Sequence, residues 1–251
     1  MGTLGQCIAV VSGKGGTGKT SFAAGVGAAL ALSGQRVLCL DCDVGLRNLD
    51  LALGLSDRAL MDFSDVAQGR CSLDTAVVEH PRLSGLYLLT APVRSRGRPV
   101  TEAQLSSLLD DVRRRYDFCL LDAPAGLGGG FLLATCAADR AVVVTTADAS
   151  SLRDAQHTVM ELERFGSGSL HLVVNRVRRK MLRSMHATID DAIDKAGLPL
   201  IGVVPEDDAL PLCLNQGVPL LLAGGQSPAA AAYRNIAKRI QGNRVPLLRI
   251  K

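Results

Sequence analysis

The sequence predicts a doubly wound α/β fold, in which a mostly parallel sheet is flanked by helices on both faces. Short apolar runs alternate along the chain with longer segments of helical character, as in successive strand–helix units. The composition is 47% hydrophobic but only 3% aromatic, so the core must consist of aliphatic side chains, as in sheets buried on both faces. A glycine-rich segment, residues 13–20, lies between the first apolar run and the first helical segment, where such folds place a ligand-binding turn.

Seven apolar runs are predicted as strands and five longer segments as helices. The predicted strands are residues 7–11, 36–40, 86–89, 118–121, 141–145, 170–174 and 200–204, and the predicted helices are residues 21–32, 102–115, 151–165, 181–196 and 228–241. The last helix carries an apolar stripe that we expect to pack on the domain, formed by Tyr233, Ile236, Ala237 and Ile240. Because there is no internal repeat and no long linker, we expect one domain over residues 1–251, with residues 243–251 as a short basic and apolar tail.

Residues 13–20, hereafter the P-loop, read G-K-G-G-T-G-K-T and match the phosphate-binding pattern G-x-x-x-x-G-K-[ST]. The glycines let the backbone turn tightly and approach a phosphate, and the free N–H groups of the loop and of the following helix form a cradle for anions. Lys19 is expected to contact the β- and γ-phosphates of a nucleotide, and the Thr20 hydroxyl to bind Mg²⁺. The predicted nucleotide-binding residues of this segment are Gly13, Gly15, Gly16, Thr17, Gly18, Lys19, Thr20 and Ser21.

Three aspartates stand where predicted strands end. Asp41 and Asp43 follow the second strand, and Asp122 follows the fourth. On an extended strand Asp41 and Asp43 would point the same way, and two carboxylates beside bound phosphates would repel each other without a cation. Either aspartate alone could instead belong to a turn or cap a helix, but this alternative is weaker for the two together. Asp122 fits the Walker B position, which usually holds Mg²⁺ through water, so Thr20, Asp41 and Asp122 are the predicted metal site.

Polar residues also follow the last two predicted strands. Asn175 and Arg176 come directly after residues 170–174, and Pro205, Glu206 and Asp207 come directly after residues 200–204. Because the carboxyl ends of parallel strands build the ligand site in doubly wound sheets, we expect these residues to border that site.

Lys14 is a second lysine within the P-loop, directly after its first glycine. It cannot easily contact the same phosphates that Lys19 is already expected to contact. A natural use is to neutralise charge on the nucleotide of a second protomer, as an arginine finger does in trans. Lys14 therefore leads to the hypothesis of an ATP-dependent homodimer.

The chain resembles the MinD/ParA family of ATPases. The P-loop with Lys14 is similar to the deviant Walker A motif of that family. Residues 41–51 (D-C-D-V-G-L-R-N-L-D-L) resemble switch I of its MinD branch, and residues 122–126 (D-A-P-A-G) resemble the Walker B motif and switch II. Residues 150–154 and 204–207 resemble further segments of that branch, so the likeness runs from the first strand to about residue 240.

The resemblance implies roles for individual residues. Lys14 would contact the ATP of the partner protomer, and Asp43 would orient the hydrolytic water, so the catalytic set is Lys14, Lys19 and Asp43. Asp41 and Asp122 would support Mg²⁺. The adenine would be held by Asn175, Arg176, Pro205, Glu206 and Asp207. Regions that the family uses for dimerisation and for regulation by partners contain Arg47, Asn48 and Asp154.

The resemblance also implies a function, which is an ATP-hydrolysing dimerisation switch in the selection of the division site. Such a protein cycles between ATP and ADP with Mg²⁺, gathers on the membrane as a dimer and recruits an inhibitor of the MinC type. A MinE-like partner, or its equivalent, then stimulates its slow hydrolysis and releases it. Because the sequence shows no signal peptide, we expect a cytoplasmic protein with at most peripheral contact at the inner face of the cell membrane.

The end of the chain departs from the resemblance. The MinD branch ends in a short amphipathic helix that inserts into the membrane, whereas residues 243–251 read N-R-V-P-L-L-R-I-K, in which Pro246 prevents a continuous helix. Residues 234–251 contain six Lys and Arg and no Asp or Glu, each cation contributing ~1 kcal/mol near an anionic surface. We therefore expect weak electrostatic contact with the membrane rather than insertion, with an unstructured basic tail as the alternative.

Other functions stay open at the level of sequence. ParA-like DNA-partitioning ATPases typically have Pro-Gln-Gly after the second switch aspartate, where this chain has Val44-Gly45-Leu46. A net charge of +4 is too mild to predict specific nucleic-acid binding. A flagellar-number regulator of the same family is a further alternative, because it shares most of these motifs.

An iron–sulfur carrier would need cysteines that bridge a dimer, but the C-x-x-C pair at residues 39–42 has no second pair, and we expect ordinary thiols. A switch that binds ATP without hydrolysing it is disfavoured by the intact switch aspartates.

Overall fold

The computed structural model describes residues 4–56, 58–94, 98–166, 168–185, 188–224 and 227–248. The strands are β1 (Gln6–Val11), β2 (Val37–Asp41), β3 (Val78–Glu79), β4 (Leu86–Leu89), β5 (Phe118–Asp122), β6 (Arg140–Thr145), β7 (Leu170–Val177) and β8 (Leu200–Pro205). The helices are α1 (Lys19–Leu32), α2 (Asn48–Leu53), α3 (Phe63–Ala67), α4 (Leu73–Ala76), α5 (Glu102–Arg115), α6 (Gly129–Thr135), α7 (Ala149–Met160), α8 (Arg179–Ser184), α9 (Ile189–Ala196), α10 (Ala209–Asn215) and α11 (Pro228–Ile240).

The strands form one eight-stranded sheet in the order β3-β4-β2-β5-β1-β6-β7-β8. Neighbouring strands are parallel except for the short edge strand β3, which runs antiparallel to β4. All seven predicted strands are present, and the predicted doubly wound α/β class is confirmed. Because β2, β5 and β1 are neighbours, the loops that follow them meet at one place on the carboxyl edge of the sheet.

The core has two layers, one on each face of the sheet. Alternate residues of β1 belong to different layers: Ile8 and Val10 pack with α1 and α11, whereas Cys7 and Ala9 pack with α5 and α7. This alternation is the period of two expected for a strand covered on both faces. The apolar stripe of the last helix is fully buried against the domain, as predicted. All seven cysteines are free and five of them are buried, which fits the expectation of ordinary thiols.

Two of the predicted helices differ from the structure. The continuous helix predicted over residues 181–196 is wrong, because α8 ends at Ser184 and α9 begins at Ile189. Thr188 starts the second helix through a capping box: its hydroxyl accepts from the N–H of Asp191, whose carboxylate accepts from the N–H of Thr188. The helix predicted over residues 151–165 ends at Met160, and turns follow it.

Residues 243–248 lie against the domain, and residues 249–251 of the predicted tail fall outside the described residues. The Arg239 guanidinium donates hydrogen bonds to the backbone oxygens of Val245 and Pro246, and also to that of Ile201 in β8. Leu248 packs against the core layer on the α11 side. The described two-thirds of the tail is therefore attached to the domain through the backbone of Val245 and Pro246 and the side chain of Leu248.

Candidate functional site

The P-loop joins β1 to α1 at the carboxyl edge of the sheet. Gly16 and Gly18 have φ angles of 79° and 87°, in the left-handed region that favours glycine. A Cβ atom on Gly18 would lie 2.4 Å from the Nδ2 atom of Asn175, and a Cβ on Gly13 would lie 2.5 Å from the backbone oxygen of Asp154. No side chain caps the start of α1. The N–H groups there are thus available to a phosphate, as the sequence pattern predicted.

Lys19, the first residue of α1, is only 7% exposed. Burial lowers the pKa of its ammonium group, although the charges of Asp122 and Asp43 oppose this shift. A cation that is desolvated in this way is stabilised by any further negative charge brought next to it. A bound nucleotide would supply that charge through its phosphates.

Asp41 and Asp122 are the last residues of β2 and β5 and stand opposite each other in the register of these strands. Burial raises the pKa of Asp122 to about 7; a hydrogen bond from Thr20 opposes this shift, and the charge of Asp41 adds to it. The Oδ1 atom of Asp122 is buried without a hydrogen-bond partner among the described residues. A cation beside Thr20 and Asp122 would give this oxygen a partner and relieve the repulsion, so these residues fit Mg²⁺.

Asp41 supports this arrangement rather than offering a free ligand. Its two carboxylate oxygens accept hydrogen bonds from the N–H groups of Asp43, at 2.8 Å, and Leu49, at 3.2 Å. Burial nevertheless raises its pKa to about 6. No group of three or more His, Cys, Asp or Glu in the part of the chain that the structure describes could hold a metal ion by itself. The remaining ligands of Mg²⁺ would come from nucleotide phosphates and water.

Asp43 belongs to the loop after β2, because the strand ends at Asp41. Asp41 and Asp43 are therefore not next-but-one residues of one strand, and the Asp41 carboxylate instead accepts a hydrogen bond from the backbone N–H of Asp43. The Asp43 side chain is half-buried; burial raises its pKa, and the positive charge of Lys19 lowers it. Asp43 thus lies within electrostatic reach of the residue expected to hold the phosphates.

Lys14 is partly exposed and pairs with the carboxylate that caps α7 rather than with the aspartates near Lys19. Its Nζ atom lies 3.5 Å from the Oδ1 atom of Asp148, at 38% and 39% side-chain exposure. Asp148 caps α7 and accepts hydrogen bonds from Thr146 and Ser151. Burial would raise the pKa of Asp148, but these hydrogen bonds and the charge of Lys14 outweigh it and hold the pKa well below its usual range. The pair is an exposed ion pair and is weak enough to be exchanged for a stronger anion.

Asn175 and Arg176 connect the last strands to the P-loop. The Asn175 side chain is 3% exposed, and its Nδ2 atom donates to the backbone oxygen of Thr17 at 2.8 Å, which leaves the Oδ1 atom buried without a partner in the described structure. The Arg176 guanidinium pairs with both carboxylate oxygens of Glu206 and donates to the backbone oxygen of Gly16 at 3.1 Å. Of the predicted adenine-binding residues, Asn175 and Arg176 thus contact the P-loop directly, and Glu206 is joined to it through Arg176.

Asp207 has a structural role in addition to the predicted one. Its Oδ2 atom accepts from the Ser227 hydroxyl and the Ala229 N–H at the start of α11, and its Oδ1 atom accepts from the Ala209 N–H. Burial would raise the pKa of Asp207, but these hydrogen bonds outweigh it and lower the pKa. The loop after β8 is therefore fixed to the first turn of α11.

Replacing Asp207 by alanine should lower the free energy of unfolding by about 1–2 kcal/mol near pH 7, because three donors lose their acceptor. The pKa is depressed in the fold, so this stability is present above the ordinary aspartate value of about 4 and is lost as the pH falls through the lower folded-state value. Urea unfolding at neutral and acidic pH measures this difference in the free energy of unfolding between the variant and the parent protein. The matched control is Asp208→Ala, at an exposed neighbour; an equal loss there, or a difference that does not shrink in acid, would contradict the assignment.

Two features of this region are not evident from the sequence. The first is the pairing of Asp148 with Lys14, which joins residues far apart in the chain. Only the capping role of Asp148 has a local signal, the segment D-A-S-S that begins with it. The cluster of basic residues on and before α8 is visible as R-V-R-R-K-M-L-R at residues 176–183. Its pattern indicates a helix but does not reveal that none of the helix residues is buried.

Comparisons with known proteins agree with this geometry. A model of the CobQ/CobB/MinD/ParA nucleotide binding domain matches residues 8–220. The septum site-determining protein MinD of Synechocystis sp. is 38% identical over 246 residues, which cover 98% of this chain and 92% of that protein.

Solved structures of similar proteins share the whole fold. A chain of the MinC:MinD cell division protein complex of Aquifex aeolicus superposes with a TM-score of 0.89 at 34% identity, covering 97% of this chain and 98% of that chain. The septum site-determining protein MinD of Pyrococcus horikoshii, complexed with Mg-ADP, superposes with a TM-score of 0.81 at 28% identity, covering 94% of this chain and 96% of that chain.

Proposed function

The chain belongs to the CobQ/CobB/MinD/ParA family of nucleotide-binding domains, and from this premise we propose that it is an ATP-hydrolysing switch that dimerises with ATP in division-site selection. The similarity to MinD proteins spans nearly the whole chain and favours this role over DNA partition. The observation that carries the proposal is the meeting of the P-loop, Lys19, Thr20 and the paired aspartates of β2 and β5 at one edge of the sheet.

In this proposal each group of site residues has a separate role in hydrolysis. The P-loop N–H groups and Lys19 hold the phosphates, while Thr20 and Asp122 hold Mg²⁺, which neutralises charge on the phosphates when it is bound. Asp43 orients the attacking water from its half-buried position near Lys19. Because phosphoryl transfer to water requires no covalent bond to the protein, the rate of ATP hydrolysis would depend on positioning and electrostatic stabilisation.

The fixed amide of Asn175 supports selection of adenine over guanine. Its Nδ2 atom is already used by the Thr17 carbonyl, so the free Oδ1 atom can only accept a hydrogen bond. The 6-amino group of adenine donates to such an acceptor, whereas the 6-oxo group of guanine would place two acceptors face to face. A buried acceptor that is left unpaired in this way costs about 1–3 kcal/mol, or roughly 5- to 150-fold in affinity.

We propose that Lys14 changes partner between the two states of the switch. In the single chain it rests against Asp148, an exposed pair with little net stability. In the dimer it would leave Asp148 for the phosphates of the partner's nucleotide, which carry a larger negative charge. ATP would thereby favour the dimer, and hydrolysis would remove that advantage.

Partners and membrane contact are proposed from the relatives. The Aquifex aeolicus structure is a complex of MinC with MinD, and we propose a MinC-like inhibitor as one partner and a MinE-like stimulator as another. Among the described residues, no helix has both the length and the hydropathy required to cross a bilayer. Exposed cations on α11, such as Arg234 and Lys238, would give at most weak peripheral contact with an anionic membrane.

Sedimentation and phosphate release test the proposal together. With Mg²⁺ and ATP the protein should sediment as a dimer and release phosphate slowly, whereas with ADP, with GTP or without nucleotide it should stay monomeric. The matched controls are ATP with a chelator of Mg²⁺ and a slowly hydrolysed ATP analogue, which should preserve the dimer. A mass that is independent of the nucleotide would contradict the switch, and dimerisation without any phosphate release would reduce the protein to a binding module.

A further inference from the structure

A recess beside the loop that follows β2, hereafter the α3–α6 recess, is separate from the P-loop. Its volume is about 620 Å³, and no P-loop residue is among those that line it. Most of its wall is apolar and comes from several segments, which contribute Phe63 in α3, Val100 before α5, Pro124 after β5 and Leu133 in α6. A recess of this size with a mainly apolar wall is typical of small-molecule sites.

A hydrogen bond and close packing hold the walls of the α3–α6 recess in place. The Nε2 atom of Gln68 donates to the backbone oxygen of Arg98 at 2.9 Å, which ties the end of α3 to the segment before α5. A Cβ atom on Gly130 would lie 2.5 Å from the Cγ atom of Pro124, so α6 packs closely on the loop after β5. The recess is therefore preformed in the single chain.

Two carboxylates line the α3–α6 recess, those of Asp43 and Glu102. Within the described residues, neither side chain forms an ion pair or accepts a hydrogen bond. Glu102 is exposed, whereas Asp43 is half-buried, so its negative charge is partly removed from water without a partner in contact. Arg98 is the only cation among the described residues that line the recess, and it is exposed. A half-buried carboxylate beside an apolar wall stabilises a cation placed against it.

We propose that the α3–α6 recess binds a small organic cation, an ammonium group on an apolar body, with the ammonium against Asp43 and the body against Phe63, Val100 and Leu133. The effect of this ligand on turnover rests on the proposed function, in which Asp43 orients the attacking water. A cation held against that carboxylate would draw it away from the water and slow phosphate release. Because no P-loop residue lines the recess, the ligand would not compete with ATP.

Other occupants fit this recess less well. An anion would meet two unpaired carboxylates, and a neutral apolar molecule would cover Asp43 without giving it a partner, which costs free energy. A metal ion would lack ligands, because no group of three or more His, Cys, Asp or Glu in the described part of the chain could hold one. An apolar wall with one half-buried carboxylate thus selects an amphipathic cation.

Isothermal titration calorimetry with the full chain saturated with Mg–ADP tests the site without requiring hydrolysis. The probe is phenylbutylamine. Phenylbutanol and phenylbutanoate keep its apolar body and replace its charge, whereas butylamine keeps the charge without the ring. We expect phenylbutylamine to bind at least about tenfold more tightly than each of the other three, because only it combines a charge-assisted hydrogen bond to Asp43 with burial of an apolar body.

Variants locate the bound amine. Asp43→Asn should weaken its binding by about tenfold and Glu102→Gln by about two- to threefold, whereas Glu163→Gln, at an exposed position outside the recess, should leave it unchanged. Val100→Phe should block the recess, and its matched control, Val159→Phe, places the same side chain at a half-buried position of α7 outside the recess. With the parent protein at saturating ATP, the amine should slow phosphate release without raising the KM for ATP.

Several outcomes would overturn the proposal. These are equal affinity for phenylbutylamine and phenylbutanol, a preference for phenylbutanoate, no measurable binding of the amine, and equal weakening by Val100→Phe and Val159→Phe. Binding that is lost on adding Mg–ADP would also overturn it, by placing the amine in the nucleotide site. Binding that leaves phosphate release unchanged would overturn the effect on turnover. A chain that does not hydrolyse ATP would contradict the proposed function instead, because the calorimetric test does not depend on hydrolysis.

Discussion

Replacing Lys14 by alanine is expected to abolish ATP-dependent dimerisation while nucleotide binding by the single chain changes by less than about threefold. The Lys14 side chain is 38% exposed and contacts one carboxylate weakly, so its removal should cost the fold no more than about 0.5 kcal/mol. Charge supplied in trans to a phosphoryl group is worth about 10³–10⁵ in rate. Phosphate release should therefore fall by at least about 100-fold, together with the dimer.

Analytical ultracentrifugation with ATP, and binding of a fluorescent ADP analogue, measure these two properties separately. The informative control is Asp148→Asn, which frees Lys14 from its resting partner and should leave the dimer intact or tighter. Asp148 also caps α7, and asparagine is an equally good cap, so the helix should be preserved. A Lys14→Ala protein that dimerises and hydrolyses ATP normally would show that Lys14 does not act in trans.

The central part of the fold could be predicted because its signals are local. Each buried strand is a short apolar run, and the polar residue beside its end marks the carboxyl edge of the sheet, as for Asp122, the last residue of β5. Asn175 and Arg176, which were expected to follow their strand, lie instead within β7, because that strand continues to Val177. The strand β3 has only two residues, and α2, α3, α4, α6 and α10 have four to seven each. Segments this short complete too few periods for a hydrophobic pattern to emerge.

The contacts among the predicted site residues could not be read from the sequence. The P-loop pattern identifies Lys19 and Thr20 by spacing alone. That Asn175 turns its Nδ2 atom toward Thr17, and that Lys14 rests on Asp148, depends on strands β6 and β7 lying beside the P-loop, which no local pattern encodes. Nor does the sequence reveal that the chain turns directly after Asp41, whose carboxylate accepts a hydrogen bond from the backbone N–H of Asp43.

These contacts differ between the two aspartates that follow the apolar part of β2. Asp41 is fully buried and holds the backbone of Asp43 and of Leu49 at the start of α2, so it shapes the loop. The Asp43 side chain is half-buried near Lys19, and its backbone N–H is held by Asp41. A carboxylate that is held in place by its backbone and is partly open to solvent is suited to orient a water molecule.

Replacing Asp43 by asparagine should therefore lower the rate of phosphate release by about 100-fold or more while ATP binding and the ATP-dependent dimer persist, because positioned general-base groups contribute about 10²–10⁴. The contrasting variant is Asp41→Asn, which replaces the carboxylate that binds two backbone N–H groups and should disturb both binding and rate. Single-turnover hydrolysis and sedimentation with ATP measure the two effects. The dimer of the Asp43 variant should last longer than that of the parent protein, because hydrolysis is what dissociates it.

Near-normal turnover in Asp43→Asn, or loss of the dimer along with turnover, would contradict this role. Another group would then orient the water, and Asp43 would only be part of the switch loop.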